Sequence, residues 1–266
     1  DAPLDVFTVS TMLHVCAKTR NLRRALRVVE EAGQLGVSPN GVVYGALIDV
    51  CAKCGEPERA LEIFERNVAQ RGPIDEEDRR ARSFLVNVYN CMMDGFGRAG
   101  KPGRAFDLYR ELVDAGLQPD AVTFNTLLSA ASRGGDFQRA CWVLETMTEW
   151  RGVRPDAYTF NTLIDACAKC GKDTLAFELF DRMKTAGLQP TCVTYNALLE
   201  VCGRRKLLHR AWDVLGMLRG DGVDPDVQIF NTMIQVCARC GDVEGAFRVF
   251  RTMENRGLAP GRVTYN

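Results

Sequence analysis

Residues 120–155 read DAVTFNTLLSAASRGGDFQRACWVLETMTEWRGVRP, and this stretch predicts two short helices joined by a tight turn. Asp120 follows a proline and belongs to the residue types that cap helix N-termini. Apolar residues recur at helical spacing on both sides of Gly134 and Gly135, which end the first helix. A single helical hairpin cannot cover its own apolar face, so we expect this one to pack against copies of itself.

The hairpin recurs along the chain with a period of about 35 residues. Three unrelated residue types keep the same register, namely an Asn in the first helix, an Ala in the second helix and a Pro in the following loop. The asparagines are Asn90, Asn125, Asn161, Asn196, Asn231 and Asn266; the alanines are Ala25, Ala60, Ala105, Ala140, Ala176, Ala211 and Ala246; the prolines are Pro39, Pro119, Pro155, Pro190, Pro225 and Pro260. The sequence therefore predicts an all-α fold, an α-solenoid superhelix of about seven helix–turn–helix repeats.

The predicted array is a single domain over residues 1–266. Its repeats cover 6–40, 41–85, 86–120, 121–156, 157–191, 192–226 and 227–261, followed by a partial repeat at 262–266. The second repeat carries an insertion of about ten residues near 74–85, which we expect to be a solvated loop or a helical extension. Because neither end resembles a polar capping repeat, we expect the chain to be a piece of a longer array.

Composition limits the classes of function. The chain is 46% hydrophobic and 26% charged, which suits a folded protein with a buried core. Its 34 basic and 34 acidic residues give a net charge of zero, although a neutral total can still contain a basic face. No apolar stretch approaches the roughly 20 residues of a membrane span.

Neither the cysteines nor the histidines predict a metal or catalytic site. Three C-x-x-C motifs begin at Cys51, Cys167 and Cys237. Zinc requires two such pairs at one point, whereas these pairs fall at one place in separate repeats, so we expect small buried side chains instead. His14 and His209 are the only histidines, and they lie in unrelated repeats. We therefore predict no enzymatic activity, metal or cofactor.

The segment VTYNALL (residues 193–199), followed by Ala211 and the Pro225–Asp226 pair, resembles the pentatricopeptide repeat of the plain type with about 35 residues. The tetratricopeptide repeat, with about 34 residues, lacks the recurrent Asn and fits less well. The resemblance implies a protein of mitochondria or chloroplasts that binds single-stranded RNA, one base per repeat. It implies a role in the processing, stability, editing or translation of organellar transcripts.

In this family two reader residues per repeat select the base, namely the fifth residue and the last one. The implied pairs are Ser10 with Asn40, Asn90 with Asp120, Asn125 with Asp156, Asn161 with Thr191, Asn196 with Asp226, and Asn231 with Gly261. The second repeat offers Gly45 with Leu85 and departs from the pattern. By analogy with the family code, the RNA would read 5′-A-N-U-U-Y-U-Y-3′, where Y is a pyrimidine.

Two further sets follow from the resemblance. Apolar flanking residues, second in each repeat, would lie beside the bases: Phe7, Val42, Val122, Tyr158 and Val193, with Asn87 and Gln228 departing from the pattern. Cations would face the RNA phosphates: Lys18, Lys53, Arg98, Arg133, Lys169, Arg204 and Arg239.

Each set also has a purely structural interpretation. The asparagines could bond locally near a helix start, the aspartates are good N-caps, and basic residues near helix C-termini are favoured by the helix dipole. The alternative function is a protein-interaction scaffold, or a repeat protein associated with a ribosome, without sequence-selective RNA binding. The zero net charge, the insertion and the imperfect readers of the second, fifth and seventh repeats, which include Thr191 and Gly261 as weak readers, favour this alternative.

Overall fold

A computed structural model describes residues 5–67 and 79–265 of the chain. Every regular element within these residues is an α-helix, which confirms the predicted all-α solenoid. The chain divides into two compact units, Asp1–Gly134 and Gly135–Asn266. None of the helices in the described ranges is long and apolar enough to cross a membrane.

The first unit is built from helical hairpins whose first helices pack side by side. Its helices are α1 (Val6–Thr19), α2 (Leu22–Gln34), α3 (Gly41–Lys53), α4 (Pro57–Asn67), α5 (Arg79–Arg98), α6 (Pro102–Asp114) and α7 (Ala121–Arg133). Each odd-numbered helix contacts the next odd-numbered helix, and each even-numbered helix packs against the two odd-numbered helices that flank it in sequence.

The second unit repeats this arrangement. Its helices are α8 (Phe137–Glu149), α9 (Ala157–Cys170), α10 (Asp173–Thr185), α11 (Cys192–Arg205), α12 (Leu208–Gly220), α13 (Val227–Cys240) and α14 (Val243–Asn255). Helix α9 contacts α11 and α11 contacts α13, while α10 and α12 each pack against the odd-numbered helices on both sides.

The recurrent alanine lies where the second helix of a hairpin meets its neighbours. Six of the seven alanines are completely buried. A larger side chain at these positions would force the helices apart, because interiors are close-packed. Ala246 in α14 is half-buried.

The predicted insertion lies partly outside the described residues. Residues 74–78 belong to that undescribed stretch, whereas residues 79–85 form the first two turns of α5, a helix of 20 residues. For residues 79–85 the helical alternative is therefore confirmed. Arg82 donates a hydrogen bond from this extension to the carbonyl of Gly116, in the loop before α7.

Candidate nucleic-acid interface

The predicted reader asparagines lie on odd-numbered helices at the edge of the core. Asn125, Asn161, Asn196 and Asn231 lie in the second turn of their helices, whereas Asn90 lies further along the longer helix α5. In the third repeat, Asn90 Nδ2 donates to Asp120 Oδ1 at 3.3 Å, so these two predicted readers contact each other. Among the described residues, the Oδ1 atoms of Asn90 and Asn161 are buried without a hydrogen-bond partner. A buried polar atom in that condition costs about 1–3 kcal/mol, so these oxygens are suited to accept a bond from a ligand.

The last reader of most repeats is also the N-cap of the following helix. Asp120 Oδ1 accepts from Thr123 N at 2.8 Å, and Asp156 Oδ1 accepts from Thr159 N at 2.9 Å. Asp226 caps α13 in the same way, with 2.9 Å to Ile229 N. Capping uses Oδ1, so it is compatible with acceptance of another hydrogen bond at Oδ2.

Two of the remaining predicted last readers, Asn40 and Thr191, are also at helix starts, whereas Gly261 precedes a turn. Asn40 Oδ1 caps α3 by accepting from Val43 N at 3.1 Å. Thr191 is the N-cap residue of α11 and donates its N–H to the hydroxyl of Thr194 at 3.1 Å. Gly261 has no side chain to offer a base, which matches its expected weakness as a reader.

In the sixth and seventh repeats the reader asparagines accept hydrogen bonds from the repeat that follows. Asn196 Oδ1 accepts from the Thr232 hydroxyl at 2.6 Å, and Asn231 Oδ1 accepts from the Thr264 hydroxyl at 2.8 Å. Both asparagines line an open groove of about 640 Å³. In the first repeat, Ser10 donates its hydroxyl to the carbonyl of Phe7 at 2.9 Å. Asn125 is half-buried in α7.

All five predicted flanking residues are exposed, although they are large and apolar. Their exposed fractions run from 52% for Val42 to 77% for Phe7. In the first unit these residues lie on α1, α3 and α7, and in the second unit they lie on α9 and α11. Repeated exposure of apolar side chains at one helix position is typical of a surface that binds a partner. The departing residues Asn87 and Gln228 are exposed too.

All seven predicted phosphate-facing cations lie in the last turn of an odd-numbered helix. Lys53, for example, forms an ion pair of 2.7 Å with Asp49, four residues earlier in α3. The arginines of neighbouring repeats share one carboxylate. Asp94 lies 2.8 Å from Arg98 and 3.4 Å from Arg133.

Sequence reasoning missed this acidic row, which we define as Asp49, Asp94, Asp165 and Glu200. Glu200 in the second unit is shared like Asp94, at 3.9 Å from Arg204 and 3.6 Å from Arg239. The signal was present, since each acid stands four residues before a predicted cation, the spacing of helical ion pairs. The acidic row balances part of the charge that the cations would present to RNA.

The second repeat has a distinctive arrangement at its reader position. The ring atoms Cε2 and Cζ of Phe84 both lie 2.7 Å from the point that a Cβ on Gly45 would occupy. Phe84 belongs to the N-terminal extension of α5. Leu85, the other predicted reader of this repeat, is half-buried beside it in sequence.

The first cysteine of each C-x-x-C motif is a core residue, whereas the second, at Cys54, Cys170 and Cys240, is only half-buried. Cys51, Cys167 and Cys237 are buried. Burial raises the pKa of the Cys51 and Cys237 thiols to about 11 and that of Cys167 to about 12, which disfavours the reactive thiolate. The described part of the chain contains no group of three or more His, Cys, Asp or Glu residues able to hold a metal.

Comparison with known proteins identifies similar repeats. The sequence model described as the pentatricopeptide repeat domain matches residues 1–54, 27–68 and 148–205. The PPR repeat family matches residues 86–133, 119–169 and 225–266, and the PPR repeat matches residues 193–223.

Curated relatives are similar over about half of the chain. A chloroplastic pentatricopeptide repeat-containing protein of Arabidopsis thaliana is 31% identical over 140 residues, which cover 53% of this chain and 22% of the relative. A mitochondrial pentatricopeptide repeat-containing protein, described as putative, from the same plant is 27% identical over 147 residues, 55% of this chain and 19% of the relative. The aligned region thus spans about a fifth of these relatives.

A solved structure extends the likeness to the whole chain. The crystal structure of the pentatricopeptide repeat protein PPR10 from maize covers 100% of this chain and 41% of its own, with 28% identity and a TM-score of 0.63. PPR10 has also been crystallised in complex with an 18-nt psaJ RNA element, and the TM-score with that form is 0.47. Because the family matches together cover nearly all of its residues, this chain belongs to the pentatricopeptide repeat family.

Proposed function

We propose that this chain binds single-stranded RNA in a sequence-selective manner, one base per repeat, with a preference near 5′-A-N-U-U-Y-U-Y-3′. It acts as a non-catalytic binding module of mitochondria or chloroplasts, in processing, stability, editing or translation of organellar transcripts. The observation that carries the proposal is the pair of buried, unpartnered Oδ1 atoms of Asn90 and Asn161 at predicted reader positions.

The chemistry of the readers supports base recognition. An amide offers a donor and an acceptor, so the side chain can match the Watson–Crick edge of a pyrimidine. A carboxylate only accepts, which favours a base edge that carries an N–H, such as that of uracil. In the third repeat Asn90 and Asp120 lie within hydrogen-bond distance of each other, so a single base could meet both.

The surroundings of the readers support a nucleic-acid ligand. Exposed apolar flanking residues give the faces of bases a surface on which to lie, and aromatic members such as Phe7 and Tyr158 can stack. Basic residues lie in the last turns of the same helices, which supports contacts with phosphates. PPR10, to which the chain is similar, has been crystallised with RNA, and the named relatives are chloroplastic or mitochondrial.

The test is a titration of labelled RNA. Oligonucleotides that contain AUUUCUC and a permuted control of the same composition are titrated at two salt concentrations. We expect the chain to bind the AUUUCUC oligonucleotide more tightly than the permuted control at both salt concentrations. Equal affinities would overturn the sequence-selective proposal, and no binding at low salt would favour the scaffold function.

A substitution sharpens this test. By the family code, Asn125→Thr moves the preference at the fourth base from U towards G, because a hydroxyl paired with the last reader suits a purine. Four oligonucleotides that differ only at that base measure the shift, with Asn255→Thr, at the exposed end of α14, as the matched control. An unchanged preference in the Asn125→Thr variant would show that Asn125 is not a reader.

A further inference from the structure

The second repeat lacks a reader side chain, and an aromatic ring from another part of the chain fills the space. Gly45 stands in α3 where the first repeat carries Ser and the other five carry Asn. The Phe84 ring lies where a side chain at this position would begin. The ring comes from the extension of α5 that the insertion creates. The glycine and the phenylalanine therefore form one local arrangement, since any Cβ at residue 45 would collide with the ring at 2.7 Å.

The ring faces an open groove and not the core. Phe84 is half-buried and lines, with Val42, Asn87 and Asn90, a groove of about 660 Å³ in the first unit. Val42 is the exposed flanking residue of the second repeat. The flanking position of the next repeat is occupied by the polar Asn87, so an apolar surface is missing on that side, and Phe84 is placed to supply it.

We propose that Phe84 is the base-contacting residue of the second repeat and holds one nucleotide by stacking, opposite Val42, whichever of the four bases it carries. The inference rests on the proposed RNA-binding function and gives the unassigned position N a physical basis. Every base has a π-face, so stacking on an aromatic ring tolerates any sequence. With no side chain at Gly45, the first reader of this repeat has no hydrogen-bonding group to discriminate between bases.

The experiment uses the whole chain and five forms of the AUUUCUC oligonucleotide, with A, C, G, U or an abasic site at the second position. We expect the four bases to bind within about two-fold of one another. We expect the abasic form to bind at least about 5-fold more weakly, the lower end of the range for loss of one base–aromatic stack. Equal binding of the abasic form would mean that the ring blocks the repeat and would overturn the inference.

Two variants locate the contact. Phe84→Ala should weaken binding of the base-containing RNAs about 5-fold or more and leave the abasic RNA within about two-fold. Gly45→Ala should also weaken binding of the base-containing RNAs and spare the abasic RNA, but by a smaller factor than Phe84→Ala. The reason is that the new methyl group displaces the Phe84 ring. The matched controls are Phe247→Ala, an exposed ring on α14, and Gly33→Ala, a helical glycine with no atom within 4 Å of its new methyl group.

The outcomes separate this inference from the proposed function. If AUUUCUC is preferred over its permuted control but Phe84→Ala weakens the abasic RNA as much as the others, the stacking role is wrong and the general proposal stands. If AUUUCUC is not preferred over its permuted control, or if the chain binds no RNA, the proposed function is wrong and the stacking inference that rests on it is wrong as well.

Discussion

Two residues occupy a backbone conformation that is strained for their type. In five of the seven turns between the helices of a hairpin, a glycine adopts a positive φ, for example Gly171 at 67° and Gly241 at 76°. Arg20 at 51° and Lys206 at 56° occupy the same region in the first and sixth repeats. The left-handed region disfavours residues with a Cβ by about 1–2 kcal/mol, so these two turns are less stable than the others.

We predict that Lys206→Gly increases the free energy of unfolding by about 1 kcal/mol, since removal of the Cβ relieves the strain. Urea denaturation monitored by circular dichroism measures the change. The control is Arg219→Gly, which places glycine in a helical position of α12 and should decrease stability by about 1 kcal/mol. A loss of stability in Lys206→Gly would contradict the prediction.

Among single residues, the sequence predicted the helix N-caps well, but it did not predict the contact between Gly45 and Phe84 in the second repeat. Asp120 was recognisable as an N-cap from its place after Pro119 and before an apolar helix, and the structure confirms that bond. The contact of Phe84 with Gly45 could not be predicted, because the insertion lies between the two residues and interrupts the repeat register. Periodicity locates residues only where the period is kept.

Between helices, a buried tyrosine ties three elements of the second unit together. The Tyr195 hydroxyl, from α11, donates to Asp221 Oδ2 just after α12, and Lys184 of α10 lies 2.8 Å from Asp221 Oδ1. Hydrogen bonds from Lys184 and Tyr195 hold the pKa of the Asp221 carboxyl below its ordinary value of 3.8. Burial and the bond to Asp221 raise the pKa of Tyr195.

We predict that Asp221→Asn lowers the free energy of unfolding at pH 7 by about 1 kcal/mol, because the charge-assisted bonds are lost. The native pKa is depressed, so the contribution of Asp221 is complete above about pH 4 and disappears as pH falls through the lowered native pKa. The measurement is urea denaturation of both proteins from pH 7 to pH 2, with Asp213→Asn, at an exposed position of α12, as control. A difference that grows on acidification would contradict the assignment.

The helices themselves were largely predictable. Apolar periodicity, Asp120 and the Gly134–Gly135 pair predicted two helices between residues 120 and 155, and α7 and α8 occupy these places. For the insertion near residues 74–85, the sequence left both a loop and a helix open. Its sequence has acidic residues followed by arginines, which suits a solvated loop as well as a helix with ion pairs.

The zero net charge of the chain is matched by local ion pairing of the predicted phosphate-facing cations within each unit. Asp94 and Glu200 are each shared by two predicted phosphate-facing arginines. Under the proposed function, RNA would compete with these carboxylates for the guanidinium groups. The pairing would then limit the share of affinity that comes from backbone charge and leave more of it to the bases.

We predict that Asp94→Asn increases RNA affinity about 3- to 10-fold at low salt, because Arg98 and Arg133 become available to phosphates. The slope of log affinity against log salt should steepen by about 0.7 to 1.4, the value for one or two further contacts to single-stranded RNA. Asp107→Asn is the matched control, since it removes an equal charge beside Arg110 on α6. An equal gain in the control would show that the effect is one of overall charge.

The bonds between a reader and the next repeat have a consequence for recoding these proteins. Thr232 is buried, and its hydroxyl donates to the reader Asn196; Thr264 stands in the same relation to Asn231. An exchange of either asparagine for a new specificity would remove the acceptor of a buried hydroxyl in the adjacent repeat, at about 1–3 kcal/mol. These two predicted readers are therefore not independent of the repeat that follows, and an exchange of Asn196 or Asn231 calls for a compensating change at Thr232 or Thr264.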